Sequence, residues 1–279
     1  MNHNTTDIGP IGVFDSGYGG LTILSEIRRR LPQYDYLYLG DNARAPYGMR
    51  SFEVVYEFTL QAVKALFDRG CRLVILACNT ASAKALRTIQ QNDLPLIDPT
   101  RRVLGVIRPT VEALGALSVS GNVGVLGTAG TVRSQSYDME IAKLYPGFTT
   151  TSHACPMWVP LVENEEASGP GADYFVEKYI RELFQKNPAI DTVILGCTHY
   201  PLLIDKIRKA MPAGVRVVCQ GEIVACSLDD YLMRHPEMAA RCSTGGTCRY
   251  LTTEHTDTFT ARAGIFLHED VNASHVTLA

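Results

Sequence analysis

The chain has 279 residues, 46% of them apolar, which is enough for one large domain or two smaller ones with separate cores. Its 26 basic and 29 acidic side chains leave a net charge of −3 and are well mixed, so no basic stripe points to nucleic acid or an anionic membrane. No apolar stretch is long enough to span a bilayer, and eight cysteines spread from Cys71 to Cys248 suit reduced thiols in the cytoplasm better than a disulfide framework.

The opening "MNHNTTDIGP" is polar and lacks the charged leader and long apolar core of a signal peptide. The apolar run Ile11 to Phe14 then ends in "DSGYGG" and passes into "LTILSEIRRRLP", whose apolar residues recur at helical spacing: a strand, a glycine loop and a helix. "YDYLYLGDNARAPYG" predicts a second strand, with Tyr36 and Tyr38 packing in a sheet, and another glycine-ended loop. "FEVVYEFTLQAVKALFDRG" predicts a long amphipathic helix closed by Gly70, and "RLVILACNT" a third strand. Alternating strands and helices of this kind argue for a parallel sheet covered on both faces.

The order then begins again. "NVGVLGTAGTVRS" repeats strand, glycine/threonine loop and helix, and "DTVILGCTHYP" is once more a buried strand ending in cysteine. An internal duplication accounts for this, with Cys78 and Cys197 at equivalent strand ends. From about Val215 the chain predicts a strand, a helix, a further strand and a terminal helix, with no glycine loop of its own. The expected fold is therefore α/β: two pseudo-symmetric parallel-sheet domains, residues 1–105 with 215–279 and residues 106–214, with the active site in the cleft between them.

In open α/β sheets ligands gather at the carboxyl ends of the strands, where loops converge and helix N-termini point. Cys78 and Cys197 both belong there. Each precedes polar residues able to cap the next helix, Asn79 and Thr80 in one half, Thr198 and His199 before Pro201 in the other. A thiol beside exposed N–H groups has its thiolate favoured, so both cysteines are expected to carry protons near neutral pH. Two thiols facing one cleft define a two-base site, the arrangement needed to remove a proton from one face of a stereocentre and return one to the other. Asp15 and His199 are placed to take up or return the thiol protons. The loop groups of Ser16, Tyr47, Gly48, Asn79, Thr80, Thr128, Thr131 and Thr198 are candidates to hold carboxylates and an ammonium.

"VFDSGYGGL", "YLGDNARAPYG", "ACNTASA", "GVLGTAGTVRS", "PLVE" and "LGCTHYPLL" together resemble the glutamate racemase family, within the cofactor-independent aspartate/glutamate racemase superfamily. The likeness runs from about residue 11 to 205 and weakens in the tail. It implies that Cys78 deprotonates D-glutamate and Cys197 L-glutamate, that Asp15 and His199 assist their neighbouring thiols, and that Glu163 of "PLVE" is a further carboxylate near the second. Asp15 with Ser16, Tyr47 with Gly48, Asn79 with Thr80, and Thr198 with His199 match the family's substrate-binding pairs. The resemblance further implies no metal and no pyridoxal phosphate, a homodimer, and supply of D-glutamate for peptidoglycan. Gln220 stands where many members carry aspartate, and the tail is longer than the family's core needs.

Plainer readings stand beside these. A single cysteine is more often a buried hydrophobe than a base, and it is the pairing that argues for chemistry. Glu163 reads equally as a surface carboxylate, and Asp15 as a cap on the glycine loop. "HAC" at 153–155 and "CTH" at 197–199 have the wrong spacing for a structural zinc pair. Cys242 and Cys248 frame a turn, the glycines of "DSGYGG" lack the lysine of a phosphate-binding loop, and His153, His235, His255 and His268 read as ordinary surface or partly buried residues. The presence of both thiols disfavours a single-cysteine decarboxylase and a non-catalytic two-lobed binding protein.

Overall fold

A computed structural model describes residues 7–267 and 269–278; the first six residues, His268 and Ala279 lie outside them. Among the described residues ten strands form two sheets, every ladder pairing parallel. In chain order the strands are β1 (Ile11–Asp15), β2 (Tyr36–Gly40), β3 (Leu73–Leu76), β4 (Arg102–Gly105), β5 (Asn122–Gly127), β6 (Thr149–Ala154), β7 (Thr192–Gly196), β8 (Arg216–Val218), β9 (Cys248–Thr252) and β10 (Ala273–His275). The first sheet has the order β10-β9-β2-β1-β3-β4 and the second β6-β5-β7-β8. The arrangement 2-1-3-4 of the first half thus recurs strand for strand as 6-5-7-8 in the second.

Local sequence explains these elements. β1, β2, β3 and β7 are buried along their whole length, as strands covered by helices on both faces must be. The helix Phe52–Asp68 starts at Ser51, whose hydroxyl accepts the Val54 N–H at 3.3 Å, and buries Val55, Thr59, Ala62, Val63, Leu66 and Phe67 at helical spacing. Gly70 follows it at φ +91°, a left-handed position with open space where a side chain would stand.

Chain return differs from expectation. Residues 215 onward were expected wholly in the first unit, but Arg216–Val218 pairs with Thr192–Ile194 as the edge strand of the second sheet, and Val218 packs into that sheet's core. The chain passes back only after Cys219. The helix Gly221–Arg234 then packs on the helix Leu21–Arg30, joining its Val224, Ala225, Leu228 and Leu232 to Ile23, Leu24 and Ile27 in one cluster. The reason is local: "VRVV" supplies the fourth strand that β4 supplies in the first half.

The core beneath the second sheet centres on Trp158, fully buried, edge-on to Tyr200 at 4.7 Å and donating its indole N–H to the Phe175 carbonyl at 3.3 Å. Trp158→Ala is expected to cost about 3–5 kcal/mol, read as a fall in the urea midpoint at unchanged slope.

Candidate active site

Every strand end that carries a candidate residue points to one place. Asp15 closes β1, Cys78 lies just past β3, Thr128 follows β5 and Cys197 follows β7. A small cavity of about 100 Å³ lies between these ends. It is lined by Ser16, Tyr47, Gly48, Cys78, Asn79 and Thr80 from the first half, and by Thr128, Glu163, Cys197, Thr198 and His199 from the second. A larger groove of about 950 Å³, bordered by Ser82–Lys84 and by Arg108, contains neither thiol. Both candidate thiols line the smaller space.

The first half-site is built around Cys78. Its sulfur lies 3.3 Å from Ser16 Oγ and accepts the Ala81 N–H at 3.4 Å, so the thiol itself is the N-cap of the helix Asn79–Lys84. Asn79 and Thr80, expected as the caps, are instead its first two residues. The expectation of a favoured thiolate is also corrected here. Burial pushes the Cys78 thiol up to about 12, and the Asp15 carboxylate adds to the rise, while the Ser16 and Ala81 hydrogen bonds oppose it. Six residues of helix do not outweigh complete desolvation. Asp15 is not itself on the cavity wall. Its Oδ2 accepts the Gly17 N–H at 2.9 Å, Oδ1 has no hydrogen-bond partner among the described residues, and burial raises its carboxyl against the pull of His199.

The second half-site is chemically different. His199 Nδ1 lies 3.9 Å from Cys197 Sγ and its Nε2 is 3.0 Å from Glu163 Oε1, a chain of thiol, imidazole and carboxylate. Burial alone would lower the histidine, but Cys197 and Glu163 outweigh it and raise the ring from 6.5 to about 10. Because the folded value exceeds the unfolded one, this charge favours folding below about pH 6.5, and the contribution is lost as pH rises through about 10. Glu163→Gln is expected to lower the His199 titration while leaving the part of the rise that Cys197 causes, which NMR of the ring nitrogens reads directly. His199 has no side-chain capping bond to the short helix Tyr200–Leu203, so it too is free of the capping role first assigned to it. Phe266 of the terminal helix stands edge-on to its ring at 6.1 Å.

The two halves touch through small residues. A Cβ on Gly48 would lie 2.9 Å from Thr128 Cβ, and one on Gly130 would lie 2.8 Å from the Gly48 carbonyl, so both positions need glycine for the loops to meet. The Thr80 hydroxyl is 3.0 Å from that of Thr128, whose oxygen caps the helix Ala129–Arg133 by accepting the Thr131 N–H; the Thr131 hydroxyl lies behind both at 3.4 and 3.1 Å, and Thr131 does not line the cavity. The Tyr47 loop is held from below by Asp41, which receives the Tyr47 hydroxyl, the Arg44 guanidinium at 2.7 Å and Thr253 of the tail at 2.9 Å.

Residues 21–227 match the model of the Asp/Glu/hydantoin racemase family. The chain is 42% identical to a glutamate racemase of Ruegeria sp. (strain TM1040) over 271 residues, covering 94% of this chain and 97% of that one. It is 37% identical to that of Streptococcus equi subsp. equi, covering 98% and 100%.

The chain belongs to the Asp/Glu/hydantoin racemase family.

It is an amino-acid racemase by that membership, and solved racemase structures share its two-sheet α/β fold. A glutamate racemase isoform of Bacillus anthracis superposes with a TM-score of 0.88 at 34% identity over 97% of this chain and 98% of that one. The Francisella tularensis glutamate racemase in complex with D-glutamate gives 0.86 at 31% identity over 97% and 98%.

Within this racemase the cavity also holds residues that sequence reasoning missed. Cys155, a third buried thiol on its wall, lines it with Pro156 from the loop after β6 and with Val159 and Pro160 of the helix Trp158–Glu163 that follows. The duplication carried the signal: in the first half the loop after β2 supplies Tyr47 and Gly48, so its counterpart after β6 was due to reach the same cleft. His153 pairs with Glu182 at 3.0 Å while His199 pairs with Glu163, so the two histidines serve different carboxylates. All eight cysteines are free thiols.

Proposed function

We propose that this racemase interconverts L- and D-glutamate by passing the α-proton between Cys78 and Cys197 without a cofactor. The observation that carries the reading is the placement of both thiols on one small cavity, at equivalent ends of two repeated sheets. In the D-to-L direction the Cys78 thiolate takes the α-proton, and the Cys197 thiol delivers its own to the opposite face. The electron pair left on the α-carbon delocalises into the α-carboxylate, where backbone N–H groups of the Gly48, Asn79 and Thr198 loops and the Thr80 and Thr128 hydroxyls can receive it. The reverse direction exchanges the roles. Afterwards Asp15 on one side and the His199–Glu163 pair on the other return the sulfurs to their starting protonation.

The raised Cys78 thiol constrains how the cycle begins. A buried sulfur beside a carboxylate holds its proton more firmly than a free thiol, and an ammonium placed next to it by the bound substrate would offset part of that hold. Substrate binding thus helps create the base that attacks it. By resemblance the reading extends to a cytoplasmic homodimer that supplies D-glutamate for peptidoglycan, and to Ser16, Tyr47, Gly48, Asn79, Thr80, Thr198 and His199 as the substrate's contacts, with Asp15 behind the wall they form.

The test is incubation of purified protein with L-glutamate alone in heavy water. Loss of optical rotation with one deuterium entering the α-carbon is expected. Unchanged rotation with glutamate, set against turnover of aspartate under the same conditions, would overturn the choice of substrate.

A further inference from the structure

Behind the cavity lies a buried polar network that the thiol chemistry does not use. Asn79 donates its Nδ2–H to Gln220 Oε1 at 2.6 Å, Gln220 donates from Nε2 to the Tyr137 hydroxyl at 2.8 Å, and Tyr137 donates its O–H to Asn79 Oδ1 at 2.7 Å. The three bonds run head to tail in a closed ring. The second Gln220 N–H is directed to Thr110 Oγ1 at 2.8 Å, with the Val106 carbonyl at 3.3 Å, and Thr110 donates onward to Val106 at 2.7 Å. Asn79, Thr110, Tyr137 and Gln220 are all buried to 98% or more.

The ring sits where the chain crosses between sheets. Val106 follows β4 on the outward crossing, Gln220 follows β8 on the return, Asn79 belongs to the first half next to Cys78, and Tyr137 belongs to the second. We propose that Gln220 is a positioning residue: its amide, by accepting from Asn79 and donating to Tyr137, fixes the orientation of Asn79 and with it the start of the helix that Cys78 caps. This rests on the reading of Cys78 as a base.

The bond directions make the requirement specific. A carboxylate at 220 accepts but cannot donate. Tyr137 would then turn its O–H to the carboxylate, the Asn79 carbonyl would lose its donor, and Thr110 would lose its own. A protonated carboxyl restores one donor and can close the ring again. With the partners Asn79, Tyr137 and Thr110 that this chain sets around it, glutamate at 220 therefore works only in its neutral form, whatever partners an aspartate at that place has in other members. The titratable groups around the site are Tyr137 in direct contact, Cys78 beside Asn79, Cys197 acting on Tyr137, and Cys219 next in the chain.

The experiment compares the wild type with Gln220→Glu across pH 6 to 9, measuring kcat/KM for glutamate racemisation per folded molecule. The ratio of variant to wild type is expected to fall by about tenfold or more as pH rises. A ratio flat with pH would overturn the positioning role. Should Gln220→Glu fail to fold, Tyr137→Phe removes one hydroxyl from the same ring. There kcat/KM, measured at a temperature where the variant is fully folded, is expected to fall about tenfold, and wild-type kinetics would overturn the proposal. A wild type that does not racemise glutamate at all would instead sink the functional reading on which the proposal stands, so the two failures are distinct.

Discussion

Cys78→Ser and Cys197→Ser are each expected to lower glutamate racemisation by about 100- to 10,000-fold, the range over which a positioned acid or base contributes. Serine keeps nearly the shape of cysteine, so both variants should fold; its hydroxyl is too weak an acid to serve as the missing base. The variants should also differ from each other. With Cys197 replaced, Cys78 can still take the α-proton of D-glutamate and return a solvent deuteron to the same face, so D-glutamate exchanges without inverting. With Cys78 replaced, exchange is retained for L-glutamate. Mass spectrometry of each enantiomer in heavy water reads both outcomes, and full activity in either variant would contradict the assignment of two bases.

A second large loss is expected from Gly19→Ala, a residue that contributes no functional group. A Cβ at this position would stand 2.3 Å from Thr198 Oγ1 and 2.5 Å from His199 Nδ1, distances real side chains do not tolerate. His199 has little room to yield, because Glu163 holds its far nitrogen at 3.0 Å and Phe266 lies at its ring edge. The methyl must push the imidazole off Cys197, and a displacement near 1 Å at a reacting group can cost about 100-fold in rate. Gly171→Ala is the matched control, since nothing lies within 4 Å of its Cβ, and wild-type rates are expected there. Equal rates in both variants would show that the Cys197–His199 contact does not matter to turnover.

Much of this architecture could be read from the chain because its signals are local. Apolar runs ending in Asp15, Cys78, Thr128 and Cys197 mark strand ends, the loops after them mark the cleft, and the repetition of the pattern marks two halves. What escaped depends on contacts between distant residues. Glu163 could not be told from a surface carboxylate until the fold brought it to His199, 36 positions away. Gln220 reaches Asn79 over 141 positions, and no spacing rule connects them. β8 was assigned to the wrong sheet because a three-residue strand carries too little pattern to name its neighbour. The state of Cys78 was misjudged for another reason: helix-end effects are visible in sequence, whereas desolvation depends on everything packed around the sulfur.

The two repeated halves carry unlike helpers, a hydroxyl and a carboxylate beside one thiol and an imidazole beside the other. Mirror-image molecules have identical free energies in water, so at rest this catalyst must leave them in equal amounts however lopsided its machinery. Thermodynamics therefore ties the efficiencies of the forward and backward reactions together, but not their speeds at saturation. A half-site that releases its proton more readily can run faster when flooded, provided it grips that antipode correspondingly less tightly.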